Sequence, residues 1–162
     1  ALSRTGRVSV LATPGTVDLL LLLGVNPAYD APADLNFADV LAKTTAVTVH
    51  HGLYKDETSA LCVWHVNAAH YLETWGDVRG HDGTVTVQQP LIAPLFGGLS
   101  TNELLAQILL PFFDPSDPNT PSTDGLDLVR QTWRKDGATR AKVDAAGFDV
   151  WWQKAVRDGV LP

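Results

Sequence analysis

Methionine is missing from the sequence altogether, and cysteine occurs once, at Cys62. A single thiol excludes an intrachain disulfide, and no iron–sulfur cluster or cysteine-rich zinc site can be assembled from it. With no methionine even at the first position, the chain is expected to be a piece of a longer polypeptide or a processed product. Long hydrophobic runs are missing too. The longest apolar-biased stretch, Val17 to Leu23, falls far short of the ~20 residues that a membrane-spanning helix needs, and no secretory signal pattern is visible. Positive charge is scarce, with 12 Lys and Arg against 18 Asp and Glu and a formal net charge of −6. That balance argues against a nucleic-acid partner, which needs a basic stripe to displace phosphate counterions. The basic residues near the C-terminus (Arg130, Arg134, Lys135, Arg140, Lys142) alternate with acidic ones and read as a solvated face.

What is present is a globular composition, 45% hydrophobic and 19% charged over 162 residues, enough for one domain with a real core. Residues 1–16 are ambiguous between a short helix and a strand, ended by Pro14-Gly15. Val17 to Leu23 has the continuous apolar character of a central parallel strand buried on both faces, and Gly24 with Asn26-Pro27 breaks it. A helical period follows Pro32, with Leu35, Ala38, Leu41 and Ala42 on one face and Asp34 at its start, and Ala46 to His50 is β-branched. Strand, helix and strand make a βαβ unit with parallel strands. Asp56 and Thr58 are both candidate caps of a short helix through Leu61, followed by a strand at Cys62 to Val66 and a helical turn at Ala68 to Glu73. Gly80 to Gly83 is a turn feeding the alternating strand "TVTVQQP". Ser100 and Glu103 form a capping box ahead of "TNELLAQILL". The segment Pro111 to Gly125 is a proline-rich surface loop, and two helices, "LDLVRQTWRKD" and "FDVWWQKAVRDG", close the chain with Gly159 as C-cap.

The chemistry-bearing residues give no complete motif. Cys62, His65 and His70, with His50 and His51 upstream, invite a metal, but on a strand Cys62 and His65 point to opposite faces. Ser59 and Cys62 have histidines nearby without any nucleophile elbow. Phosphate cradles are absent, since Gly97-Gly98 is only a fragment of a dinucleotide fingerprint. Asp56-Glu57 and Glu73 form a weak acidic set that could face a cleft, and capping of a helix start explains the Asp56-Glu57 pair at least as well. In open α/β sheets ligands bind beyond the carboxyl ends of the strands, which puts Gly24-Val25-Asn26-Pro27 and His51-Gly52 at the candidate site. Asn26 offers a donor and an acceptor there, and a ligand contact and a plain Asn-Pro turn weigh evenly.

The order strand, "GVNP", helix, strand, "ETSALC", "AAHYLETWGD" resembles the molybdopterin oxidoreductase superfamily. The longer string "LYKDETSALCVWHVNAAHYLETWGDVRGHDGTVTVQQPLIAPLFGG" and the tail "DLVRQTWR … FDVWWQKAVRDGVL" are similar to one branch of it, the large iron–sulfur, molybdopterin-like subunit of alternative complex III. The resemblance runs from about Val17 to Leu161. It implies an α/β, three-layer Rossmann-like domain with a small, mainly parallel sheet over residues 1–110, the proline-rich loop over 111–125, and a helical tail over 126–162 packed on the same domain. In the molybdenum enzymes of the superfamily the corresponding loops approach a molybdopterin guanine dinucleotide. Carried over by position, the cofactor-binding residues are Gly24, Asn26, Pro27, Glu57 and Thr58. In the alternative complex III branch this region has lost its cofactor, and iron–sulfur clusters elsewhere in the parent carry the electrons. The resemblance therefore implies a non-catalytic structural module of a quinol-oxidising complex on the bacterial periplasmic side of the membrane. Its partners would be the rest of the parent subunit and the other subunits. The other expectations are a pterin-binding domain of a genuine molybdenum oxidoreductase and a stand-alone small-molecule module with a flavodoxin-like sheet.

Overall fold

Leucine- and β-branched-rich runs separated by glycine, asparagine and proline produce a mixed α/β chain with a small parallel sheet near its N-terminal end. The computed structural model describes residues 11, 13–117, 120–141, 143, 144 and 146–161; expectations for residues 1–10 and 12 lie outside them. The chain divides into two compact units between Ala68 and Ala69, a boundary that falls inside the expected 1–110 layer.

The first unit contains β1 (Leu19–Leu23), α1 (Pro27–Asp30), a 3-10 turn (Ala33–Leu35), α2 (Phe37–Lys43), β2 (Val47–Gly52), α3 (Glu57–Leu61) and β3 (Trp64–Asn67). All three strands are parallel in the order β1-β2-β3, with Leu23 opposite His51, and His50 opposite His65. The middle position belongs to β2, and β1 is an edge strand in which Leu22 alone is fully buried and Leu19 stays exposed. This corrects the expectation for Val17 to Leu23. Apolar character marks a strand without saying which neighbours it will have, and the second crossover carries β3 to the far side of β2. The helix expected after Pro32 is interrupted at Asn36, which adopts the left-handed conformation (φ 44°) and donates from Nδ2 to Asp39 Oδ2 at 2.7 Å. Asparagine tolerates that conformation better than most residues. Leu41 is then the apolar anchor of α2.

The second unit pairs β4 (Gly76–Arg79), β5 (Val85–Gln88) and β6 (Val160–Leu161) in an antiparallel sheet of that order. Asp82 closes the β4–β5 turn by accepting from Thr84 N and Oγ1, and Gly83 takes φ 87°, where a side chain would be strained. The expected helical turn at Ala68 to Glu73 is instead a reverse turn. Glu73 N donates to His70 O, and the Glu73 carboxylate accepts from His70 N. Helix α4 (Thr101–Leu109) carries the complete Ser100/Glu103 capping box. Helices α5 (Gly125–Ala141) and α6 (Phe148–Asp158) follow, and Gly159 (φ 73°) turns the chain into β6.

The strands β4 and β5 belong with these helices because of what they bury. Val85 and Val87 alternate inward from β5 and join Val129 and Trp133 of α5 and Phe148, Trp152 and Ala155 of α6 in one cluster. On α6 the spacing Phe148, Trp152, Ala155 is a single helical stripe. None of the described helices is long and apolar enough to cross a membrane. Phe148 is fully buried. Phe148→Ala is expected to cost about 3–5 kcal/mol in denaturant unfolding followed by tryptophan fluorescence. A loss under ~1 kcal/mol would mean that α6 is not docked on the sheet.

Candidate functional site

At the carboxyl ends of β1 and β2 two loops bind each other. Gly24 leaves β1 with φ 63° and donates its N–H to His51 O at 2.8 Å. Asn26 follows, and Pro27 occupies the first turn of α1, where a missing N–H costs nothing. The Asn26 backbone carbonyl accepts from Tyr29 and Asp30. Its side chain crosses to the other loop. Oδ1 accepts from Thr58 N (3.2 Å) and Thr58 Oγ1 (2.7 Å), while Nδ2 donates to Glu57 Oε2 (2.8 Å). Thr58 Oγ1 in turn accepts from Ala28 N at 2.9 Å. Thr58 is wholly buried, and Glu57 has its carboxyl held below the usual carboxylate range, first by the Asn26 amide. Three of the five expected site residues (Asn26, Glu57, Thr58) are thus hydrogen-bonded together, Pro27 follows Asn26 in the chain, and Gly24 is exposed.

The neighbouring carboxylate is a cap. Of the two candidates, Asp56 is the N-cap of α3, accepting from Ser59 N through Oδ1 at 2.8 Å. Its other oxygen lies 3.5 Å from His50 Nε2, which also faces Val25 O at 3.3 Å. Both partners are acceptors, so Nε2 carries a proton. In a neutral imidazole Nδ1 is then a lone pair, and it meets His65 Nδ1 at 2.9 Å. His65 must therefore donate from Nδ1. The near-parallel rings, 5.1 Å between centroids, meet edge to edge along this contact. Gly52 makes room for it: a Cβ there would lie 2.5 Å from His50 Cε1. The result is a chain Asp56–His50–His65 from a helix cap to an open cleft of about 440 Å³, lined by His65, Lys55, Asp56, Ser59 and Cys62 among others.

The expectation that Cys62 and His65 face opposite ways fails because β3 begins at Trp64, leaving Cys62 ahead of the strand, and both residues line this cleft. No hydrogen bond joins the two. Burial pushes the Cys62 thiol up, and its hydrogen-bond partner is Thr48. Ser59 Oγ donates to Asp56 O, which ties it to the helix start. His70 belongs to the second unit and accepts from Leu72 N through Nδ1. Among the described residues no three His, Cys, Asp or Glu side chains converge as a metal site. The feature that sequence reasoning missed is the His50–His65 contact, whose signal lies in the strand register and not in the spacing. Compared with known proteins, the chain matches no family model and no curated protein.

The chemistry available here is proton holding and loop fastening. His65 has its pKa lowered from about 6.5 by burial, then by His50 and Lys55, with Asp56 and Asn67 opposing. Below that pH the unfolded chain takes up a proton that the folded ring resists. Stability is then full above pH ~6.5 and declines as the pH falls below it, until folded His65 itself titrates. Unfolding midpoints measured between pH 5 and 8 are expected to show this decline, and His65→Gln to flatten it; an unchanged slope in the variant would locate the effect elsewhere. Asn26→Ala strips the buried Thr58 N–H and O–H of their acceptor and is expected to cost about 1–3 kcal/mol in the same assay.

Proposed function

We propose that the chain is a cofactor-free structural module of a molybdopterin-oxidoreductase-like redox subunit. Its parent is of the alternative complex III type, a quinol-oxidising electron-transfer complex on the bacterial periplasmic side of the membrane. The fold proposed with it is a three-layer Rossmann-like arrangement around the parallel sheet. One observation carries the reading: the polar groups that a pterin dinucleotide would need at the strand ends are spent on one another. Asn26 gives its acceptor to Thr58 and a donor to Glu57, and Thr58 Oγ1 both donates and accepts. The residues do not fit a pyrophosphate, because Asp56 and Glu57 set two carboxylates where its negative charge would come. Electron transfer in this reading runs through iron–sulfur clusters in other parts of the parent.

Partners are proposed on the same footing. In "PLIAPLFGG" the side chains of Leu91, Ile92, Leu95 and Phe96 are exposed, which suits docking on the remainder of the parent subunit and its neighbours. Metal and pterin analysis of the parent subunit, purified from its native source, tests the proposal. Iron without molybdenum, tungsten or pterin is the expected result. Molybdenum or tungsten together with pterin would overturn it and make the Gly24–Pro27 loop part of a cofactor site.

A further inference from the structure

A second cleft, within the second unit, has a chemistry that the strand-end site does not use. It lies between α4 and α5, encloses about 350 Å³, and is walled by Leu105, Leu109 and Leu128 with Val129 and Thr132 beside them. That volume suits a ligand of one ring and a short chain. Asp77 of β4 reaches the same cleft. Its Oδ2 accepts from the buried Trp133 indole N–H at 2.6 Å, which fixes the carboxylate in place, and Oδ1 has no hydrogen-bond partner among the described residues. No cation among those residues pairs with it. Two basic residues of α5, Arg130 (2.6 Å) and Arg134 (3.9 Å), turn to Asp149. A half-buried carboxylate held by one donor at an apolar cleft is a receptor for a positive charge on an apolar body.

We propose that the α4–α5 cleft binds a small organic ammonium ion, with the ammonium on Asp77 Oδ1 and the apolar body against Leu105, Leu109 and Leu128. The selectivity follows from the charge. Both an alcohol and an ammonium can donate to the carboxylate, but only the ammonium adds an opposite charge to that hydrogen bond, so the cation is favoured over an alcohol of the same shape by roughly tenfold.

The test titrates the full chain with 2-phenylethylammonium and with 2-phenylethanol, reading the Trp133 indole N–H resonance by NMR. The expected result is a saturable shift with both probes, about tenfold tighter for the ammonium. Asp77→Asn keeps an oxygen for Trp133 and is expected to remove the preference. Leu109→Ala changes a half-exposed side chain and is expected to weaken both probes alike. Equal affinities for the two probes, no saturable response, or a preference that survives Asp77→Asn would each overturn the proposal. Should Asp77→Asn fail to fold, the comparison of the two probes on the unaltered chain still decides it.

Discussion

Thr58 gives both of its donors to one oxygen, Asn26 Oδ1, from a position with no solvent exposure. Much of the first unit's strand-end geometry depends on that contact. It fixes the exit of β1 against the start of α3, and the acceptor lone pair left on Thr58 Oγ1 takes Ala28 N and orients α1. With α3 fixed, Asp56 stands at its N-cap, one oxygen on Ser59 N and the other towards His50. His50 is thereby held in the tautomer that leaves its Nδ1 for His65 on the next strand. A buried donor without an acceptor costs more than a made bond gains, so the contact is enforced chiefly by what its loss would leave behind.

The imidazole pair carries an electrostatic rule of its own. Two Nδ1 atoms in hydrogen-bonding contact share one proton, and a second proton on the same line would set N–H against N–H. Burial first, then His50 and Lys55, lower the pKa of His65. Three polar side chains on the wall of that cleft are each constrained by a neighbour or by burial. The thiol is raised in pKa by burial, the hydroxyl is bound to a carbonyl, and the imidazole is tied through His50 to a helix cap.

Features encoded within one turn of chain were legible in the sequence. Ser100 and Glu103 satisfy each other across three residues, and Gly159 reverses the chain by its own φ, so residue identities alone carry the information, whereas at α3 identity left both Asp56 and Thr58 as caps and geometry chose Asp56. The parallel pairing of β1 with β2 was legible because a helix between two apolar strands leaves little else. Strand order was not, since the apolarity of β1 arose without a central position. Strands β4 and β6 escaped notice for want of pattern: "GDVR" holds one apolar residue, and β6 is two residues long. The pairing of β4 and β5 with the C-terminal helices depends on Val85, Val87, Phe148 and Trp152 meeting across some 60 residues, and no local signal reports such a meeting. At the site, the candidate residues were found as a set, while the roles within it came only from geometry. Asn26 bridges two loops and does not merely turn the chain.

The two units are held by different physics. In the second, an aromatic and valine cluster supplies apolar area, a non-directional force that tolerates volume-conserving change. In the first, the fully buried apolar residues Leu22, Leu41 and Ala46 are accompanied by Thr48, His50, His51, Thr58 and Ser59. Polar groups in that number give little net stability, yet they accept only arrangements that satisfy them, so they define the strand-end geometry more sharply than packing would. That bears directly on ligands. Anything that came to the carboxyl ends of β1 and β2 would have to replace Asn26 Oδ1 as acceptor for Thr58 and Glu57 as acceptor for Asn26, in a place already carrying two carboxylates. An anionic ligand would meet the charge without relieving it, and a neutral one would have to equal three hydrogen bonds made at no entropic cost of association. The closure of this loop pair on itself is what supports the proposal of a module without a cofactor.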